Sequence, residues 1–198
     1  MKQWMVLSFL GILSLTACAA SGKDFPISLS FTEGVSASPA GASPQKVVIF
    51  PLEDRRLISE APAERIGRRT HLFGRIDTFE SKIPVGESVA QLVATTFRLR
   101  GWEVHPAPPG SRPDQITDAR VVTGSIQTLW AEAVSHIGYT EIDTHFSLHL
   151  EIRDPKTGAT TRFKIDDEND PKVVFFNPQK LERTVNDLVS EGISRIVS

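Results

Sequence analysis

Residues 139–153 read YTEIDTHFSLHLEIR, and the alternation in this stretch decides the fold class. One face of the extended chain would carry Ile142, Thr144, Phe146, Leu148, Leu150 and Ile152. The other face would carry Glu141, Asp143, His145, Ser147, His149 and Glu151. A period of two with one apolar face predicts a strand that is buried on one side of a sheet.

The neighbouring segments continue this strand as an antiparallel meander. Residues 120–134 predict a partner strand, and Gly138 provides the turn between the two. The sequence Asp154-Pro155-Lys156-Thr157-Gly158 predicts a second turn, because proline presets φ and glycine can adopt a left-handed conformation. Residues 160–165 then predict a third strand.

Two amphipathic helices and two further strands complete the predicted domain. Helical spacing of apolar residues predicts a helix over 86–100 with Gly101 at its C-terminal cap, and Asn177-Pro178 is typical of the start of another. Val47–Phe50 and Trp102–His105 predict short strands. We therefore expect an α+β fold, a two-layer α/β sandwich with a mainly antiparallel sheet and both helices packed on one face.

The N-terminus has the pattern of an export signal. Lys2 precedes the apolar stretch WMVLSFLGILSL at 4–15, which is too short to span a bilayer. The stretch ends in Leu15-Thr16-Ala17-Cys18, which resembles the site recognised by lipoprotein signal peptidase. Cys18 is the only cysteine in the chain, and lipid on its thiol would account for a lone cysteine in an exported protein. The alternative is an ordinary secretory signal that contains a cysteine.

This pattern divides the chain into three predicted parts. Residues 1–17 would be a signal peptide cleaved between Ala17 and Cys18, and residues 18–45 a lipidated, flexible tether with a candidate edge strand at 25–31. Residues 46–198 would form the globular domain. Ala19 and Ala20 follow the cysteine, with no aspartate there, and the resemblance to enterobacterial sorting patterns implies the periplasmic face of the outer membrane rather than the inner membrane.

Composition narrows the function classes. Without residues 1–17 the chain has 21 basic and 24 acidic residues, a balance of −3, which gives no electrostatic case for nucleic acid. The chain lacks the common nucleophile, zinc, phosphate-loop and dinucleotide motifs. We expect no enzymatic activity, no metal and no cofactor other than the diacylglyceryl and N-acyl lipid on Cys18.

Three clusters of charged residues are candidate binding sites. Asp143, His145, His149 and Glu151 could bind a metal, but His145 and His149 would lie ~13 Å apart along a strand, and a solvated face explains them. The acidic run at 166–170 lacks the glycine and the distal glutamate of a calcium loop, and we expect a solvated loop after a strand. The segment from Arg55 to Arg75 predicts a long loop that could contact a partner.

Arginine forks suit the phosphate and carboxylate groups of envelope lipids and glycans. The candidate contact residues are Arg55, Arg56, Arg65, Arg68, Arg69 and Arg75. The alternative is that these side chains pair with nearby acids such as Glu53, Asp54 and Asp77.

Short motifs spread along the chain resemble the YajG-type bacterial lipoproteins. They are the sequence ending at Cys18, Asp54-Arg55-Arg56, Ile66-Gly67-Arg68, the residues 99–104, 124–132 and 139–142, and the turn at 154–158. The resemblance implies a location and an architecture rather than an activity. The same order of elements is similar to lipoproteins that activate peptidoglycan synthases and to secretion-channel lipoproteins.

Three functions follow as hypotheses. The first is a membrane-anchored binding or scaffold module for an envelope protein or glycan. The second is an auxiliary subunit of a transport or assembly complex, which an outward apolar patch over 121–130, with Leu129 exposed, would favour. The third is an envelope-glycan hydrolase, which requires two carboxylates in a cleft.

Overall fold

The computed structural model describes residues 22–32, 45–56 and 62–197, and it contains ten strands and two α-helices in these ranges. The strands are β1 (Asp24–Ile27), β2 (Lys46–Ile49), β3 (Glu53–Asp54), β4 (Arg65–Thr70), β5 (Ile76–Ser81), β6 (Glu103–Pro106), β7 (Arg120–His136), β8 (Tyr139–Arg153), β9 (Thr160–Asn169) and β10 (Lys172–Val173). The helices are α1 (Val85–Leu99) and α2 (Pro178–Ser194), and short 3-10 turns lie at Pro113–Gln115 and Arg195–Val197. The predicted signal sequence, Ala17, Cys18 and residues 33–44 lie outside the described part.

Strand β7 organises the sheet. Along one edge it pairs in succession with β2, β3 and β4, all parallel to it. Along the other edge it pairs antiparallel with β8, which in turn pairs with β9 and β10. β6 extends the sheet beyond β2, and β5 and then β1 extend it beyond β4.

The predicted face of β8 is confirmed. Ile142, Phe146, Leu148 and Leu150 are buried and join one apolar core with both helices. Asn177 caps α2, because its side chain accepts a hydrogen bond from the Gln179 N–H at 2.9 Å. Both predicted helices and the order of the meander are therefore confirmed, although α1 begins and ends one residue earlier than predicted and β7 and β9 are longer.

The predicted layer arrangement needs correction. The sheet is a curled half-barrel rather than a flat layer of a sandwich. It is not mainly antiparallel, because five of the nine strand pairings are parallel. Sequence alternation detects hairpins between adjacent segments, whereas the parallel partners of β7 come from distant segments with no shared local signal.

The expected long loop from Arg55 to Arg75 is also corrected. Outside residues 57–61, which are not described, this segment contains β4 and the turn into β5. Likewise, the acidic residues 166–169 continue β9 instead of forming a loop. Charged side chains on the outer face of a sheet leave little apolar periodicity in the sequence, so neither strand extension was predicted.

Part of the predicted tether packs on the domain. β1 pairs parallel with β5, with Phe25 opposite Phe79 and Ile27 opposite Ser81. Beyond β1 the extended chain runs along α2, and three backbone N–H groups donate to helix side chains. These bonds are Ser28 to Glu182, Ser30 to Asn186 and Thr32 to Ser190, at 3.2, 3.0 and 3.0 Å. Every second residue of the extended segment therefore meets every fourth residue of α2. The two spacings agree because two extended residues span ~6.6 Å and four helical residues span ~6 Å.

Candidate functional site

The six predicted contact arginines do not form one surface. Arg55 and Arg56 follow β3, Arg65, Arg68 and Arg69 belong to β4, and Arg75 precedes β5. Three of the six pair with the acids that the sequence offered as the alternative. These pairs are Arg55 with Glu53, Arg56 with Asp54, and Arg75 with Asp77.

Arg56 is part of the fold rather than a free contact residue. Its side chain is only 4% exposed, and its guanidinium donates to Asp54 and to the carbonyls of Ala63 and Arg65 at 2.7–3.0 Å. Burial raises the pKa of the Asp54 carboxyl, but the hydrogen bonds and charge of Arg56 lower it more, so the net shift is downward. The Arg56 guanidinium thus fastens the start of β4 to the end of β3.

Consecutive arginines of β4 lie on opposite faces of the sheet. Arg68 is on the outer face, where its guanidinium contacts Glu132 Oε1 at 2.8 Å and its side chain stays 48% exposed. Arg69 lies on the inner face, with its guanidinium 4.2 Å from the centre of the Phe176 ring and its Nε donating to Ser135 Oγ. Of this pair, Arg68 alone is an accessible contact residue.

Asp77 forms the centre of a buried ionic cluster. The carboxyl is 1% exposed and accepts a hydrogen bond from the Lys23 N–H at 2.9 Å. His71 Nε2 lies 2.5 Å from one carboxylate oxygen, and Arg75 Nε lies 3.4 Å from the other. Burial raises the pKa of Asp77, but the bonds from Lys23 and His71 and the charges of His71 and Arg75 outweigh it, so the pKa falls below its ordinary value. The cluster joins the N-terminal segment to the β4–β5 turn.

The outer face of β7 and β8 carries a shallow depression of about 310 Å³ beside Trp130. Trp130 is half-buried, His145 is its cross-strand partner, and Arg56, Gln127 and Asp143 also line the depression. His145 Nε2 contacts Asp166 at 2.9 Å. The sequence included Trp130 only as the end of the expected apolar patch over 121–130 and did not single it out, although Thr128, Trp130 and Glu132 alternate on one face of β7.

Other predicted features do not assemble into a site. Leu129 and Val121 are buried, so the expected apolar patch over 121–130 does not form. No group of three or more histidine, cysteine, aspartate or glutamate side chains within the described ranges is placed to hold a metal ion. No helix in the part that the structure describes is both long and apolar enough to cross a bilayer.

Large exposed apolar side chains collect at one end of the molecule. They belong to the β4–β5 turn, the β7–β8 turn and the segment between β10 and α2. The members are Leu72, Phe73, Ile76, Ile137, Tyr139, Val174 and Phe175. We call this surface the loop end.

Comparison with known proteins shows a shared fold. No model of a protein family matches the sequence, and no curated protein matches it. The structure is similar to protein XCC0632 from Xanthomonas campestris, assigned to DUF330, with a TM-score of 0.52, 10% identity, and coverage of 87% of this chain and 92% of that chain. At this identity the likeness shows the fold alone.

Lower TM-scores are found for two further solved structures. The PelC dodecamer from Paraburkholderia phytofirmans gives 0.44, with 16% identity over 80% of this chain and 91% of that chain. Lipoprotein GNA1162 from Neisseria meningitidis gives 0.40, with 12% identity over 78% of this chain and 99% of that chain. These comparisons do not single out the YajG-type family.

Proposed function

We propose that this chain is a lipid-anchored, non-enzymatic binding or scaffold module of the bacterial cell envelope, related to the YajG-type lipoproteins. The observation that carries the proposal is the Leu15-Thr16-Ala17-Cys18 sequence directly after an apolar stretch of signal length. Gly22 and Lys23 contact β5, and Cys18 precedes Gly22 by four residues in the sequence. Diacylglyceryl and N-acyl lipid on Cys18 would hold the protein to the periplasmic face of the outer membrane.

The outer face of the sheet is the proposed contact surface for an envelope protein or glycan. Arg68 and the Trp130 depression lie on this face. Glu132 connects them, because it pairs with Arg68 and follows Trp130 by two residues along β7. An aromatic ring surrounded by polar side chains suits a ligand with apolar and polar faces, such as a sugar. The auxiliary-subunit alternative loses its specific support, because Leu129 is buried.

Replacing Cys18 with serine should release the protein from the membrane. In an enterobacterial host, the natural chain should incorporate a labelled fatty acid and stay in the membrane fraction after a high-salt wash. C18S should lose the label, since the serine hydroxyl is a far weaker nucleophile than a thiolate. As a matched control, Ala19→Asp should keep the label but move to the inner membrane. Equal labelling of C18S would contradict the proposed anchor.

Reversing the charge of Arg68 should weaken contact with the partner. A photo-crosslinking residue at Arg68 should capture one recurrent protein or glycan in intact cells, and a crosslinker at exposed Arg183 of α2, which packs on the other face of the sheet, serves as the control. Arg68→Glu should lower affinity about tenfold or more, through repulsion at the contact. Loss of the exposed pair with Glu132 should cost under ~1 kcal/mol of stability. Identical capture at both positions, or none at Arg68, would rule out this contact surface.

A further inference from the structure

The loop end holds nearly all the exposed large apolar side chains of the described residues. Leu99, at the end of α1, is the exception. Phe73, Ile137 and Phe175 are 95%, 85% and 85% exposed, and each projects from a different connection between elements. Soluble surfaces rarely concentrate such side chains, so a cluster of this kind indicates a contact surface.

Strand register places the three connections side by side. Thr70, the last residue of β4, pairs with Ile76 on one side and with Val134 on the other. His136 pairs with Tyr139 across the β7–β8 turn, and Val173 pairs with Thr140. Adjacent strands lie ~4.8 Å apart, so these connections emerge from the same end of the sheet.

Ring contacts tie the connections together. Phe176, next to Phe175, stacks on Phe79 of β5 with ring centres 5.9 Å apart, and the Arg69 guanidinium covers the same ring. The rings of His136 and Tyr139 stack with their centres 4.7 Å apart. Phe175 therefore lies near β4 and β5, and its exposed ring projects from a backbone that the packing of Phe176 holds in place.

The N-terminal segment enters the domain at this end. Gly22 is so close to Ile76 that a Cβ at Gly22 would lie 1.5 Å from the Ile76 carbonyl oxygen. Lys23 hydrogen-bonds to Asp77 and Thr78 just beyond it. Cys18 precedes Gly22 by four residues, which span at most ~14 Å when extended. A lipid on Cys18 would thus sit beside the exposed aromatic side chains.

We infer that the loop end is a membrane-contact surface, with Phe73, Ile137 and Phe175 inserted at the boundary between headgroups and acyl chains of the leaflet that holds the anchor. This inference rests on the proposed lipid anchor. Apolar burial drives the contact, because the nearby cations Arg75 and Lys172 are paired with Asp77 and Glu141. The surface would hold the domain against the bilayer, with β7 and β8 extending from the membrane into the periplasm.

Tryptophan probes test this orientation in the intact protein. Phe73→Trp and Phe175→Trp are introduced singly, and Lys156→Trp is the control, in the turn at the far end of β8, ~45 Å along the strand from Tyr139. Each lipidated protein is purified and reconstituted into vesicles with an excess of phosphatidylethanolamine over phosphatidylglycerol. Acyl chains brominated near the glycerol end quench nearby tryptophan, and the signal of the natural protein, with Trp102 and Trp130, is subtracted.

Bromolipid should quench most of the added emission at positions 73 and 175 and none at 156. If the protein floats with the vesicles but none of the three probes is quenched, the anchor stands and the inference is overturned. A blue shift that depends on protein concentration, with no quenching by bromolipid, would assign the surface to a second copy of this chain and also overturn it. A protein that carries no lipid and does not float would instead contradict the proposed function.

Discussion

Replacing Gly67 with valine should prevent the domain from folding or reduce its free energy of unfolding by roughly 3–5 kcal/mol. Gly67 lies in β4 directly beside Ala131 of β7, and a Cβ there would be 2.0 Å from the Ala131 carbonyl oxygen. The obstructing atoms are backbone, so they cannot move without separating β4 from β7. Valine, which favours strands, should fail here for this steric reason alone.

Chemical unfolding of purified protein measures the effect of G67V. Thr70→Val is the matched control, because it places the same side chain in the same strand with little change in volume, and it should alter stability by less than ~1 kcal/mol. If G67V unfolded at the same denaturant concentration as the natural chain, the close β4–β7 pairing would be incorrect.

Replacing Asp77 with alanine should cost about 3 kcal/mol at neutral pH, because it removes a buried carboxylate and leaves His71 and Arg75 without their shared partner. It also frees the Lys23 N–H, which anchors the segment before β1 to β5. We therefore expect increased proteolysis near the N-terminus together with the lower free energy of unfolding.

The effect of D77A should depend on pH in a defined direction. The folded-state pKa of Asp77 is lowered, so its contribution is fully present above the ordinary pKa of about 4 and is lost as the pH falls through the lower folded value. The difference between D77A and the natural chain should shrink over that acidic window. Asp143→Ala, at an exposed carboxyl on the outer face, is the control. A stability difference that stays constant down to strongly acidic pH would contradict the role of the ionised carboxylate.

The sequence predicts the elements whose stabilising contacts are local. The alternation of β8 and the caps at Asn177 and Gly101 lie in consecutive residues, and each is found in the structure. β4 has the sequence RIGRRT, without an alternating apolar face. It forms a strand because Gly67 permits close pairing with β7, along which Arg68 and Glu132 then pair. Such contacts join residues more than sixty positions apart and leave no local pattern.

The candidate surfaces show the same limit. The richness of arginine at 55–75 was visible in the sequence, but only the strand register separates outward Arg68 from inward Arg69. Phe73 and Phe175 each occur singly within turns. A phenylalanine directly before the turn residue Gly74 is an unusual choice for a solvated tip and was a usable signal. That Phe73 and Phe175 lie at the same end of the molecule as Ile137 could be recognised only from the three-dimensional fold.

The intact mass of the protein purified from membranes tests the central claim most directly. We predict a chain that begins at Cys18 and carries a diacylglyceryl group on the thiol and a third acyl chain on the α-amino group, with fragmentation placing all the added mass on that residue. A mass equal to the chain with residues 1–17 still attached, or an unmodified chain cleaved elsewhere, would contradict the lipid anchor.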